Sequence, residues 1–408
     1  MLLCVIIVIL CVSLSYSHNQ PAYSSIEYIH PSSVSQRNLC SSFRIKLTNV
    51  QLLYNPKLHK YSIIYHTPSS SSPVNTTLLD QASTGCCSRR GIPISPITVT
   101  YNSTPFPVEK TSFTEPLYLF NVVHYKNIFH IIFDTLIPLQ DSMNQDGVSQ
   151  ANILFHYCDP KKLVPAKYDV LFNLFGKVLH SPHHVYVRSL IVNIDREHLR
   201  CKGNLLNSKI RNRCSSRFQS IKTKFLQSFH PNPSQSDPNH LLITVLDRYP
   251  HNRQIVNLKN SSWVQTVAEK LKSYNATLSI SKTNTQTISE QIRVAASTDI
   301  LVGVHGAGLV HSLWLEPDSG VVCLYPPKCF NWVYNYVADT LGLINHGYNI
   351  SVVNTIRNDR FPFLSKVEAL DLRMHSCFEH WKDLSFTFTE DEFIDYLLPT
   401  IDAVRQNK

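Results

Sequence analysis

From residue 240 onward, apolar runs of five or six residues alternate with longer amphipathic stretches. The runs are Leu241–Leu246, Ala276–Ile280, Ile300–Val304 and Val321–Tyr325; Thr277 and Ser279 interrupt the second, the other three are largely apolar, and together they predict parallel strands. Between them the spacing predicts helices at Ser262–Leu271, Ile288–Ala296, Leu309–Leu315 and Asn331–Leu341, with Ser261 or Ser262 as a cap and Gly342 as a closing glycine. Repeated strand–helix units of this length predict a doubly wound parallel sheet. A capping box, Thr389-Glu390-Asp391-Glu392, then opens an amphipathic helix bearing Phe393, Ile394, Leu397, Leu398, Ile401 and Val404. It is expected to kink at Pro399 and to pack back on the first half of the chain.

The first half is less regular. Strands are predicted at Leu117–Val123, Asn152–His156 and His184–Val192, and helices at Asn127–Met143, Asp169–Leu179 and Ser208–Phe229. Residues 18–115, rich in Ser, Thr and Pro, offer only short β-like runs such as Ile45–Leu47 and Tyr61–Tyr65. The segment HPNPSQSDPN, 230–239, reads as a linker. These signals divide the chain into a leader at 1–17, an N-terminal α/β domain at 18–235, a second α/β domain at 236–350 and a terminal segment at 351–408.

Composition narrows the class. With 43% hydrophobic and 16% charged residues the chain is globular, and its formal charge of +9 is spread without dense Lys/Arg runs. That argues against a nucleic-acid partner and suits anionic small molecules. The apolar run at 2–14 reads as a signal-peptide core or a signal anchor, which implies entry to the endoplasmic reticulum or Golgi lumen and membrane contact only through such an anchor. Five N-x-S/T sequons, at Asn75, Asn102, Asn260, Asn275 and Asn349, agree with a lumenal chain. Of 11 cysteines two lie in the leader, so nine remain; most are expected to pair, and the odd count leaves at least one thiol.

Candidate chemistry concentrates in three places. The chain holds only 11 glycines, yet Gly303, Gly306 and Gly308 cluster around the turn His305-Gly306-Ala307-Gly308. Such a strand–turn–helix junction is either a tight corner or an anion cradle made of free amides and a helix dipole. His311 stands where a third glycine would complete G-x-G-x-x-G, which disfavours a dehydrogenase. Arg248 and Arg253 lie on the loop leaving strand 241–246, and paired guanidinium forks suit a diphosphate. Asn127, His130 and Asp134 fall at i, i+3 and i+7 of a helix, on nearly one side. They are either a cap with a core histidine or a polar row that supplies a base. No D-x-D pair occurs, so no metal cofactor of the sugar-nucleotide clamp type is expected.

The strings at 302–326 (VGVHGAGLVHSLWLEPDSGVVCLYP), 247–257 (DRYPHNRQIVN), 288–300 (ISEQIRVAASTDI) and 127–139 (NIFHIIFDTLIPL) resemble glycosyltransferase family 61, with similarity over residues 115–350. The resemblance is nearest to members that add N-acetylglucosamine to proteins. It implies a GT-B architecture of two Rossmann-like domains facing a cleft, an inverting mechanism, a UDP-sugar donor and a protein Ser/Thr or protein-linked glycan as acceptor. By the same resemblance Arg248, Arg253, Gln291, His305, Gly306, Ala307 and Gly308 bind the donor, Asn127 lines the acceptor cleft, and Asp134 or His130 is the catalytic base. Pentose transfer, or an inactive lumenal binding relative, are the alternatives. One departure is Glu316, which precedes Pro317 where the family usually has an apolar residue.

Overall fold

The computed structural model describes residues 25–29, 44–55, 60–66, 98–104, 106–107, 110–120, 122, 126–155, 164–180, 184–192, 208–230, 237, 239–248, 254–326, 333–350, 355–356 and 385–408. Two compact units form, one from Met1–Tyr125, Pro138–Val164 and Leu171–Glu197, the other from Lys126–Ile137, Pro165–Val170 and His198–Lys408. The expected linker at 230–239 is therefore not where the units divide. Helix Ser208–Phe229 belongs with the second unit because its apolar face, through Phe218 and Phe225, packs on Phe133 and Trp314 of that unit.

Eight described strands build the first unit's sheet: β1 (Ser25–Ile29), β2 (Arg44–Asn55), β3 (Lys60–His66), β4 (Thr98–Asn102), β5 (Leu117–Phe120), β6 (Ala151–Phe155), β7 (Gly176–Leu179) and β8 (His184–Val192). Their order is β4-β3-β2-β8-β5-β6-β7, with β1 on β2. The β8-β5-β6-β7 portion is parallel, but β2 pairs antiparallel with β1, β3 and β8, so this sheet is mixed rather than the doubly wound parallel sheet expected. The helix expected at 169–179 ends at Phe172. Gly176 stops it: at φ +149 its backbone lies so close to β6 that a Cβ would sit 1.7 Å from Ala151 O, and the chain turns into β7.

The second unit follows the sequence pattern closely. β9 (Leu241–Asp247), β10 (Ala276–Lys282), β11 (Ile300–Val304), β12 (Gly320–Tyr325) and β13 (Ile344–Asn349) form a five-stranded sheet, all parallel, in the order β10-β9-β11-β12-β13. Every residue of β11 and β12 is buried, as a central strand covered on both faces requires, whereas edge strands β10 and β13 are largely half-buried. Asn260, not Ser261 or Ser262, caps helix Ser261–Lys272 by accepting from the amides of Ser262 and Trp263. Thr287 and Glu290 form a capping box on helix Ile288–Ala296.

Helix Glu390–Asn407 runs through Pro399 and buries Phe393, Leu397, Ile401 and Val404 in the core of this second sheet. Each such side chain contributes about 1.5–3 kcal/mol by leaving water. Gly320 admits the helix to β12, since a Cβ there would lie 2.4 Å from Thr400 Cγ2. Among the described residues no helix is long and apolar enough to cross a membrane. Cys214 is disulfide-bonded, and Cys323 is a buried free thiol.

Candidate active site

The order β10-β9-β11 makes β9 a switch point, because the chain leaves it for β10 on one side and comes back to β11 on the other. Connections diverge beyond such a point and leave a crevice at the carboxyl ends of the strands. Arg248 emerges directly after β9, residues 283–286 follow β10, and His305-Gly306-Ala307-Gly308 follows β11. Val302 of β11 lies opposite Val245 of β9, so the Arg248 and His305 ends are adjacent.

At the turn, the His305 amide still donates to Leu324 O at 2.9 Å and prolongs the β11–β12 ladder. The element that follows, Ala307–Trp314, is a 3-10 helix rather than an α-helix, and its opening bond runs from Leu309 N to Gly306 O at 3.0 Å. The amides of Ala307 and Gly308 precede that bond, as the first amides of a helix do. Gly306, at φ 162 and ψ 178, is in extended geometry open to any residue. Gly303 has the sharper steric role: a Cβ there would meet Leu309 Cδ2 at 3.1 Å and Leu246 Cδ1 at 3.3 Å, so its absence lets the helix close down on β9 and β11.

His305 turns inward and is only 7% exposed. Its ring stacks on Tyr325 (5.2 Å, 25°), takes the edge of Tyr334 (5.2 Å, 66°), and puts Nδ1 3.9 Å from Cys323 Sγ. Burial pushes the Cys323 thiol up to about 12 and raises the Tyr325 hydroxyl as well, so both neighbours are protonated and uncharged. Tyr334 hydroxyl donates to Gly306 O at 2.6 Å and thereby holds the turn.

Tyr334 also connects the turn to the polar row. Phe129 meets its ring edge-on at 5.7 Å and 72°, and Phe129 stacks on Phe133, which packs on Phe218. Asn127 is the N-cap of Ile128–Ile131, accepting from Phe129 N at 3.0 Å. The helix then widens to a π-helix at Ile132–Leu136 before Ile137–Gln145 resumes α geometry. Pro138 supplies the cause: it has no amide, and its ring would strike the carbonyl of Asp134 four residues back in a regular helix. Ile137 N instead reaches Ile132 O. Across the junction between the α turn and this widened stretch, His130 Nδ1 lies 2.6 Å from Asp134 Oδ2, with side-chain exposures of 27% and 10%. A carboxylate only accepts, so Nδ1 carries the proton and Nε2 is the ring's basic nitrogen.

The family model of glycosyltransferase 61 matches residues 128–322, which spans the His130–Asp134 pair, Arg248 and the glycine turn. Over this segment the chain is similar to glycosyltransferase family 61. The chain is 22% identical over 298 residues to alpha-1,3-arabinosyltransferase XAT2 of Oryza sativa subsp. japonica, covering 69% of this chain and 47% of that relative. It is 26% identical over 125 residues to alpha-1,3-arabinosyltransferase XAT3 of the same organism, covering 29% of this chain and 20% of the relative. The chain thus spans half or less of the length of these curated relatives.

Of the residues carried over by family resemblance, Gln291 is buried and fully engaged with the protein. Its Nε2 donates to Thr283 O at 2.8 Å and Gln286 O at 3.0 Å, and its Oε1 meets His311 Nε2 at 2.9 Å. The departure at Glu316 has a local reason. Lys222 of helix Ser208–Phe229 donates to Leu315 O at 2.6 Å at the end of the 3-10 helix, and Glu316 Oε1 lies 3.5 Å from its ammonium. Burial lowers the Lys222 pKa, and the Glu316 carboxylate opposes that shift.

Arg253 and Asn75 lie outside the described residues, as does the leader. Asn102 accepts from Thr104 N and Oγ1, Asn260 is the cap noted above, Asn275 donates to Asn239 O, and Asn349 is exposed at the end of β13. Sequence reasoning missed Tyr334 and His311, both in apolar stretches that read as plain core. It also missed the π turn, although Pro138 signals it.

Proposed function

We propose that this chain is an inverting glycosyltransferase that moves a sugar from a UDP-sugar to a hydroxyl of a protein or protein-linked glycan. The observation that carries the reading is the chain of contacts from the His130–Asp134 pair through Phe129 and Tyr334 to Gly306, which joins a base to an anion-binding turn at a sheet switch point. In this reading the acceptor oxygen attacks the anomeric carbon while His130 Nε2 takes its proton, and Asp134 holds the ring and stabilises the imidazolium. The bond from that carbon to the diphosphate breaks, and the leaving group departs with the electron pair. Arg248, Arg253 and the Ala307 and Gly308 amides receive its charge, which leaves no step for a metal clamp. One displacement inverts the anomeric centre.

The GT-B arrangement of the two units and a lumenal location are parts of the same proposal, the latter supported by the apolar leader and the sequons. N-acetylglucosamine is the donor sugar suggested by the motif resemblance. A second reading, a pentose donor, is favoured by the arabinosyltransferase names of the relatives. Titration of UDP, UDP-N-acetylglucosamine, UDP-xylose and UDP-arabinose into the protein, with and without EDTA, tests both. EDTA-insensitive binding of UDP and hydrolysis or transfer from one donor is expected, and the donor consumed decides the sugar. Lack of binding by UDP and by all three sugar nucleotides sinks the reading.

A further inference from the structure

Beneath the crevice a buried polar chain joins three strand ends. Trp314 Nε1 donates to His311 Nδ1 at 3.2 Å, and His311 Nε2 meets Gln291 Oε1 at 2.9 Å. The indole is a donor only, so Nδ1 must accept, and Nε2 must carry the proton that goes to Gln291. Both amide hydrogens of Gln291 then reach the carbonyls of Thr283 and Gln286 in the loop after β10. Thr283 in turn donates through N (3.3 Å) and Oγ1 (3.1 Å) to the carbonyl of Asp247, whose neighbour is Arg248. Trp314 is anchored at the far end by stacking on Phe225 at 4.9 Å and 10°.

β10 and β11 flank β9 on opposite sides, so the Gln291–His311 bond links the elements that follow the two neighbours of β9. A 3-10 helix has poor internal hydrogen-bond geometry and a run of eight residues is long for one, so its placement depends on outside ties. We infer that His311 is a positioning residue: through Gln291 it sets the distance between the loop after β10 and the glycine turn after β11, and so the width of the nucleotide crevice into which Arg248 emerges. This role rests on the donor-site reading above for its ligand, while the strap itself is a property of the free protein.

Two replacements separate the strap from general packing. His311→Gln keeps a donor at the Nε2 position and loses the acceptor for Trp314; His311→Asn keeps that acceptor and loses the bond to Gln291. Both leave one buried polar group without a partner and should lower the melting temperature similarly. UDP titration should show binding weakened about tenfold or more in His311→Asn and near wild type in His311→Gln, since a displaced supporting shell costs affinity on that scale. Amide exchange without nucleotide, read at 283–286 and 305–310, should quicken in both loops only in His311→Asn. Equal UDP affinities in the two variants, or unchanged exchange in His311→Asn, overturn the strap. If the wild type binds no UDP, the nucleotide reading fails by itself and exchange alone decides whether the strap exists.

Discussion

His130 and Asp134 are joined by a 2.6 Å contact between Nδ1 and Oδ2 across the junction of an α-helical turn with a π-helical one. The pair explains why a half-exposed imidazole sits beside a buried carboxylate in an otherwise apolar helix. Burying a carboxylate requires a charge-assisted partner, and the partner keeps the basic nitrogen directed away from it. Asp134→Asn should therefore reduce kcat by roughly 10²–10⁴-fold while UDP affinity stays put. His130→Ala should do the same, and the double variant should be little worse than either single one, because the two act as a unit. Steady-state kinetics with a parallel UDP titration checks this; independent, multiplying losses would show that they do not share a proton path.

Pro138 makes a separate prediction. Pro138→Ala restores an amide and removes the ring that a regular helix could not accommodate at the Asp134 carbonyl, so the π turn should relax toward α geometry. Helical content and melting temperature should hold or rise, while kcat falls as the row rotates. Activity at the wild-type level would mean that the widened turn has no part in placing the base.

Arg248 tests the diphosphate assignment directly. Arg248→Ala should raise the UDP Kd by about tenfold or more and flatten its salt dependence, with uridine affinity little changed. A parallel loss of uridine binding would point to a collapsed site rather than a missing charge.

Gly320 tests the docking of the terminal helix. Gly320→Ala places a methyl 2.4 Å from Thr400 Cγ2 and 3.1 Å from Val404 Cγ2, so it should destabilise the protein by about 1–3 kcal/mol. Adding Thr400→Ser removes that methyl but keeps the hydroxyl bonded to His346 Nδ1, and should recover part of the loss. Denaturant melts of the two variants measure the coupling, and no recovery in the double variant would place the strain elsewhere.

Much of the second sheet was legible because its signal is redundant: apolar runs such as Ile300–Val304, the Thr287 and Thr389 capping boxes and Gly342 all point the same way. The first sheet was not: β2 lies in Ser/Thr/Pro-rich sequence, and its antiparallel partner β8 is far along the chain, so no local signal records their pairing. At the site, residue types were readable but not their allegiances. Gln291 and His305 look like ligand residues in the sequence, yet one is engaged by backbone carbonyls and His311, and the other is packed against Tyr325 and Tyr334. Tertiary hydrogen bonds decide that, and no periodicity records them.

The His311 environment also predicts an acid limb in stability. Burial lowers its pKa from the usual 6.5 to about 4, so the unfolded chain takes up the proton first as the pH falls. The stability this group contributes is complete above pH 6.5 and is lost progressively toward pH 4, at up to about 1.4 kcal/mol per pH unit. Protonation would place a hydrogen on Nδ1 against the Trp314 N–H, which agrees in sign with the burial effect. His346, also lowered by burial, adds a similar trend, so the informative quantity is the difference between wild type and His311→Gln. Between pH 7.5 and pH 5, wild type should lose about 2 kcal/mol more than the variant in urea unfolding. Parallel pH profiles would mean that His311 titrates as an ordinary exposed imidazole, and the buried hydrogen-bond chain would have to be redrawn.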